Sequence, residues 1–380
     1  MTIYVNTLPV SEKSSGIRTF LLELLHAFAE SNNPSFQYCL VCCENNKRLF
    51  KEFFSQNKFS ILEVNVDNSS PIKRIYFEQF KLNKILQNKK NSILLNICNI
   101  AMFNCNMPQV IIIQKHVGIK ALRKTLPKKY KHISLMHLIY YDLLLERSIK
   151  YADKTIAISN YMVDFLGPYK DKIEIIHEGV NLETFNYDSI DSKSIYGFPY
   201  IFSLSTLFPH KNMDRLIEAF ALFKKNSQQP HKLIIAGNDP SGGKLMAELK
   251  DLAKQLNIQD DVIFTGWITN ETIPGLYKNA DLFVFLSGME FFGLPVLEAM
   301  ACKVPVISSN KMSLPEVVND GGKLVEPDDV AGISKLMHEL CTNEALRHEM
   351  IEKGLANAKQ FKWITTAQKF EKMFETINLN

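Results

Sequence analysis

The chain has 380 residues, 46% of them hydrophobic and 22% charged, with a formal net charge of +4. That composition is ordinary for a globular protein and excludes intrinsic disorder, and the length predicts two domains, because single cores stop growing near about 250–300 residues. Only 16 residues are glycine, and Gly16 alone falls among the first 117. A nicotinamide- or flavin-binding domain at the N-terminus needs several glycines just after its first strand, where the backbone approaches a pyrophosphate, so that class is excluded there. No apolar run approaches the ~18 residues that span a bilayer. The start, Met1-Thr2-Ile3-Tyr4-Val5-Asn6, enters a strand with no leader-like pattern, and the expected location is cytoplasmic.

In chain order, short apolar runs occur at Ile3–Val5, Tyr38–Cys42, Ile61–Val66, Ile93–Ile97, Val110–Ile113, Thr155–Ile158 and Ile173–Ile176. Between the first two, Ile17, Phe20, Leu21, Leu24, Leu25 and Phe28 form the stripe of a helix that packs on a sheet. Strands apolar on both faces and separated by helices predict a parallel α/β sheet. Cys39-Leu40-Val41-Cys42 lies inside the run Tyr38–Cys43 and reads as buried strand thiols rather than a redox or zinc motif. The odd total of seven cysteines fits reduced thiols.

Charge is uneven along the chain: residues 1–185 hold 24 Lys+Arg against 16 Asp+Glu, and the remainder 20 against 24. The basic excess peaks at Lys115–His132, with seven Lys/Arg and no acid. That segment is either a solvated face or a contact for an anionic surface, such as membrane headgroups or a phosphorylated substrate. No nucleic-acid partner is expected.

Glu183–Pro199 is polar and turn-rich and reads as a linker. The alternation then restarts, with strands expected at Tyr200–Leu204, Leu233–Ala236, Val262–Thr265, Leu282–Leu286, Val304–Ser308 and Leu324–Val325. Trp363, Ala367, Phe370, Met373, Phe374 and Ile377 give a final helix one apolar stripe, which could pack on either domain.

The stretch Ser287–Pro305 carries the most chemistry. A strand runs into a loop, and Gly293-Leu294-Pro295 opens a helix in whose first turn proline's missing N–H costs nothing. The N–H groups of that turn, with the positive end of the helix dipole, suit an anion, and Gly293 lets a phosphate approach the backbone. Glu290 on the loop and Glu298 one turn into the helix can each accept hydrogen bonds from vicinal hydroxyls.

Glu290 to Ala301 resembles the E-x7-E signature of the retaining glycosyltransferases of family 4. Pro305-Val306-Ile307 and Leu314-Pro315-Glu316-Val317 continue the likeness, and Gly16-Ile17, His116, Ala152-Asp153, Gly179-Val180-Asn181 and Pro209-His210-Lys211-Asn212 occur in the family's order. The resemblance covers nearly the whole chain. It implies an α/β fold of GT-B type: two Rossmann-like domains facing across a cleft, with the last helix returning to the first. The implied domains are 1–186 plus 363–380, binding acceptor, and 187–362, binding a nucleotide sugar.

By the same resemblance, Glu290 holds hydroxyls of the donor sugar and Glu298 the ribose. The backbone of Phe291, Phe292, Gly293 and Leu294 meets the diphosphate or sugar. Lys211 faces the diphosphate, where a cation offsets the charge that builds as a nucleoside diphosphate departs. His116 lies near the transferred sugar, and Gly16 marks where the first domain's backbone comes close to the donor. The sequence has no D-x-D pair, so no metal is expected; lysine and helix N-termini stand in its place.

Three departures from the family pattern stand out. Valine follows His116 where the family has aspartate, and Phe291 replaces the first glycine of Glu-Gly-Phe-Gly. Thr206 and His210 occupy positions where arginines are common, so that His210 adds charge only when protonated. The expectation is a metal-independent retaining hexosyltransferase without cofactor, acting on a glycan or lipid-linked acceptor in surface-polysaccharide synthesis. Mannose from GDP-mannose is the leading donor, because Thr206 to Asn212 resembles mannosyltransferases of that kind. A UDP-sugar transferase, a non-hydrolysing nucleotide-sugar epimerase and a non-catalytic sugar-nucleotide-binding protein are the alternatives.

Overall fold

The computed structural model describes residues 1–12, 16–114, 135–190 and 196–379. The chain divides into two compact units, Met1–Glu178 with Trp363–Asn380, and Gly179–Lys362.

The first unit is built on seven parallel strands: β1 (Thr2–Asn6), β2 (Gln37–Cys42), β3 (Phe59–Glu63), β4 (Ser92–Asn96), β5 (Gln109–Ile113), β6 (Lys154–Ala157) and β7 (Ile173–Ile175). Their order is β3-β2-β1-β4-β5-β6-β7. β4 and β5 are buried along their whole length, as strands covered on both faces must be. Cys39 and Cys42 are buried thiols within β2. The helix Gly16–Glu30 buries Phe20, Leu21, Leu24, Leu25 and Phe28, the stripe legible in its sequence.

The final helix, Trp363–Glu375, packs against that first helix. Phe20 meets Trp363 edge-on with ring centres 5.6 Å apart, and Phe28 meets Phe370 at 6.2 Å. Such aromatic pairs add about 0.5–1.5 kcal/mol each beyond the area they bury. Glu371, buried on the same helix, accepts hydrogen bonds from the Tyr38 hydroxyl (2.9 Å) and Ser31 (2.7 Å). Burial and that carboxylate push the Tyr38 hydroxyl far above its ordinary pKa. The C-terminal stripe therefore closes on the first unit, the arrangement the resemblance implies.

The second unit carries six parallel strands: β8 (Tyr200–Leu204), β9 (Lys232–Ala236), β10 (Val262–Gly266), β11 (Leu282–Phe285), β12 (Val306–Ser309) and β13 (Lys323–Val325). They run in the order β10-β9-β8-β11-β12-β13. Leu216, Ile217, Phe220 and Phe223 of the helix Met213–Ser227 are fully buried on this sheet, each side chain contributing about 1.5–3 kcal/mol of transfer free energy. The described first part of the segment expected to be a linker, residues 183–190, is instead tied into this unit. Phe185 stands edge-on to Tyr277 at 6.0 Å and Asp188 pairs with Lys303 at 3.0 Å, so the boundary lies at Glu178–Gly179.

In each sheet the winding reverses once, between β1 and β4 and between β8 and β11. Ligands of open α/β sheets bind outside the carboxyl ends of the strands that flank such a reversal. In the second unit those ends lead into residues 205–212 and 286–293, the segments that hold Thr206, His210, Lys211 and Glu290.

Candidate functional site

The two loops at this reversal are fastened to each other. Asn212, in the left-handed region at φ 53°, donates its side-chain amide to the Leu286 carbonyl at 2.8 Å. The Gly288 N–H donates to the His210 carbonyl at 2.7 Å. With the backbones held, the Lys211 ammonium reaches across to Glu290, Nζ to Oε2 at 2.5 Å, and sits 5.3 Å from the centre of the Phe285 ring. Their side chains are 12% and 22% exposed, so the pair is shielded yet open enough to meet a ligand.

Thr206 lies half-buried on the first of these loops, beside the half-buried His210. The His210 ring stacks on Phe208, 5.4 Å between centres and 12° from parallel. Burial, and next the charge of Lys211, lower its pKa to about 4 against the smaller opposing effect of Glu290. His210 is therefore neutral at neutral pH. It adds no positive charge there, because a partly desolvated imidazole next to an ammonium sheds its proton.

On the second loop, the Ser313 hydroxyl donates to the carbonyls of Glu290 (2.9 Å) and Phe292 (3.0 Å), which fixes both ends of the turn. Phe292 is buried with its ring edge-on to Phe361 at 5.8 Å, whereas Phe291 is half-buried. Of the two rings, Phe292 anchors the turn, and Phe291 is the one left near the surface. Gly293 sits at φ +122°, and a Cβ there would lie 2.7 Å from Leu314 Cδ2. Only glycine fits, so the helix Leu294–Ala301 starts where its first turn and Pro295 can face the loop.

Glu298 projects from this helix and is held by a residue the sequence reading did not single out. The Tyr277 hydroxyl, wholly buried, donates to Glu298 Oε2 at 3.0 Å. Burial first, then the Glu298 charge and this bond, push the tyrosine hydroxyl well above its usual range, so it stays a donor. A tyrosine just ahead of β11 reads along the chain like any core aromatic, so no sequence signal marked it. Asn212 was marked by its place at the end of Pro209-His210-Lys211-Asn212, whereas Ser313 gave no signal beyond its residue type.

Lys211 and Glu290 are in contact and the Gly288 N–H ties the His210 carbonyl to their loops, while Thr206, Phe291, Phe292, Gly293, Leu294 and Glu298 lie on the same two loops or the helix that follows. Gly16 belongs to the first unit, where it opens the helix after β1, exposed, with open space where a Cβ would go. His116 and the basic segment Lys115–His132 lie outside the described residues. Among the described residues no group of three or more His, Cys, Asp or Glu is placed to hold a metal ion.

The reversal of this Rossmann-type unit brings together a shielded ammonium, a glycine-opened helix and two carboxylates, groups able to meet an anion and hydroxyls. Residues 189–356 match the family described as glycosyl transferases group 1. It is 35% identical over 164 residues to O-antigen chain mannosyltransferase B of Escherichia coli, covering 43% of this chain and 42% of that one. It is 32% identical over 228 residues to the serotype-specific mannosyltransferase WbdA of Escherichia coli, covering 57% and 28%. The chain thus spans less than half the length of these curated relatives. The crystal structure of Anabaena HepE in complex with UDP and glucose superposes with a TM-score of 0.74 at 19% identity, covering 99% of this chain and all of that one. The two-unit fold is the GT-B fold.

Proposed function

We propose that this chain is a retaining, metal-independent glycosyltransferase that moves mannose from GDP-mannose to a glycan or lipid-linked acceptor in surface-polysaccharide synthesis. The observation that carries the reading is the Lys211–Glu290 pair, which joins a phosphate-seeking cation to a hydroxyl-seeking carboxylate at 2.5 Å. A nucleotide sugar presents those two chemistries on either side of the bond that breaks, so one ligand can satisfy both residues. Glu298, oriented by Tyr277, holds the ribose, and the turn Phe291–Leu294 offers backbone N–H groups to the diphosphate. Lys211 stabilises the departing diphosphate, the acceptor hydroxyl attacks the same face of the sugar, and its proton passes to the leaving phosphate oxygen. His116 and Gly16 are the first unit's residues that the family resemblance ties to the same reaction. The mannosyltransferase relatives favour mannose, and the expected location is the cytoplasmic face of a membrane, with Lys115–His132 in peripheral contact.

The experiment is a melting-temperature screen with GDP, UDP, ADP and TDP, followed by transfer from the matching nucleotide sugar to a lipid-linked acceptor. GDP alone is expected to raise the melting temperature, and Glu290→Ala is expected to abolish transfer. A UDP-specific shift would replace the donor, isomer formation without acceptor would indicate an epimerase, and binding without turnover or donor hydrolysis would sink the enzyme reading.

A further inference from the structure

A continuous helical segment spans residues 71–86: α-helical over Pro71–Phe77, π-helical over Glu78–Leu82 and α-helical over Asn83–Leu86. Its inner face is Phe77, Leu82 and Leu86, buried with Tyr4 and Leu94 in the core of the first unit. Its outer face is also apolar. Ile72 is 82% exposed, Tyr76 56%, Phe80 55% and Ile85 40%. The first three recur every four residues, and Ile85 follows at five, the step of a π turn, so all four stay on the outer side. The rings of Tyr76 and Phe80 lie 5.1 Å apart and form one raised aromatic ridge.

The charges around the ridge have one sign. Residues 71–90 hold six Lys/Arg and a single acid, Glu78. Glu78 is buried, with Arg74 at 3.7 Å and an Asn6 hydrogen bond at 3.1 Å. Lys73 is paired with Asp67 at 3.3 Å. Lys81, Lys84, Lys89 and Lys90 are exposed, and none meets a carboxylate among the described residues.

We infer that this helix is a docking face for an anionic lipid surface. It lies in the plane of the membrane, with Ile72, Tyr76 and Phe80 in the boundary between headgroups and acyl chains and the lysines against lipid phosphates. Large apolar side chains on one side of a helix, flanked by lysines, are what the interface between water and lipid selects. A folded protein partner fits less well, because lysine is depleted at protein interfaces and the ridge is narrow beside the roughly 800 Å² per partner of a standard interface. The helix is a different segment of the sequence from Lys115–His132, and the inference does not rest on the transfer reaction. Should that reaction hold, docking here presents the first unit to a lipid-linked acceptor.

The test is co-sedimentation of the full chain with phosphatidylglycerol–phosphatidylcholine vesicles and with phosphatidylcholine vesicles alone. Wild type is expected to bind the anionic vesicles more tightly. Lys81→Gln/Lys84→Gln should weaken that binding about twenty-five-fold, from roughly fivefold per lysine at the surface. Ile72→Ser/Phe80→Ser should weaken it at least tenfold. Both pairs are on the surface, so the melting temperature and nucleotide binding should match wild type, which separates failure of this inference from failure of the glycosyltransferase reading. Unchanged vesicle binding in either pair would overturn it, as would loss of binding in Lys128→Gln alone. A wild-type dimer that Ile72→Ser/Phe80→Ser dissociates would also overturn it, by assigning the ridge to a second copy of the chain.

Discussion

The Lys211–Glu290 pair is the contact on which the site turns, and it can be measured without substrate. The perturbations are Lys211→Met, Glu290→Gln and the two together. A hydrogen bond between charged groups contributes about 1.5–3 kcal/mol net when well shielded. Here the separation is 2.5 Å, but Glu290 keeps 22% of its side-chain surface in water, which screens part of the interaction. The expected coupling energy is therefore about 1–2 kcal/mol, the single variants together costing more than the double variant. The assay is urea unfolding, with midpoints compared at constant slope. Trp267 is the one tryptophan of the second unit and Trp363 the one of the first, so Trp363→Phe as background isolates the relevant transition. GDP affinity gives a second reading. Lys211→Met should lose at least tenfold, because the phosphate loses its cation, whereas Glu290→Gln should bind GDP at least as well, because Lys211 is released from a competing carboxylate. Additive midpoint shifts together with equal GDP affinity in the two single variants would refute the reasoning.

Two further predictions follow from groups around the pair. Tyr277→Phe removes the 3.0 Å bond to Glu298 from a wholly buried position, and should raise the donor KM about tenfold with kcat nearly unchanged; a lower melting temperature with unaltered KM would reduce Tyr277 to packing alone. His210 has its pKa lowered in the fold to about 4, below the usual ~6.5 of histidine, so between those values the unfolded chain binds a proton that the folded chain refuses. Stability is complete above about pH 6.5 and falls as pH drops toward 4, by at most about 3 kcal/mol. The difference between wild type and His210→Asn should therefore vanish from its pH dependence above 6.5 and grow below it; parallel stability curves from pH 7 to pH 4 would show that the ring is not desolvated.

The sheets were legible because their signal is local. Each of the thirteen strands among the described residues holds apolar residues, and where both faces are covered, as in β4 and β5, the run is continuous rather than alternating. The stripe Phe20-Leu21-Leu24-Leu25-Phe28 told of a helix on a sheet, and the stripe of the last helix told of a buried face. It could not tell which unit buries it, because that depends on the matching face of the helix Gly16–Glu30, more than 340 positions away in sequence. The polar segment Glu183–Pro199 misled for a related reason: its turns are local, but Phe185 and Asp188 are secured by Tyr277 and Lys303, which no window around them includes.

The site divides along the same line. Gly293 and Pro295 announced a helix opening near phosphate from their own sequence, since a left-handed turn and a first-turn proline are local demands. Lys211, read alone, is a lysine at the start of a helix, and its meaning comes from Glu290, 79 residues further on. Parallel winding is what closes that distance: β8 and β11 are neighbours only because β9 and β10 are laid on the other side. The same reversal that brings lysine and glutamate together leaves the gap between the strand ends in which a ligand can sit, so the topology makes the place and the chemistry of the site in one step. Tyr277 shows the limit of the sequence reading most clearly. Its hydroxyl is buried among Phe202, Phe283 and Glu298, and nothing in its surroundings along the chain distinguishes it from a core aromatic. Only the carboxylate it meets, on a helix 21 residues later, turns a packed ring into a device that aims Glu298.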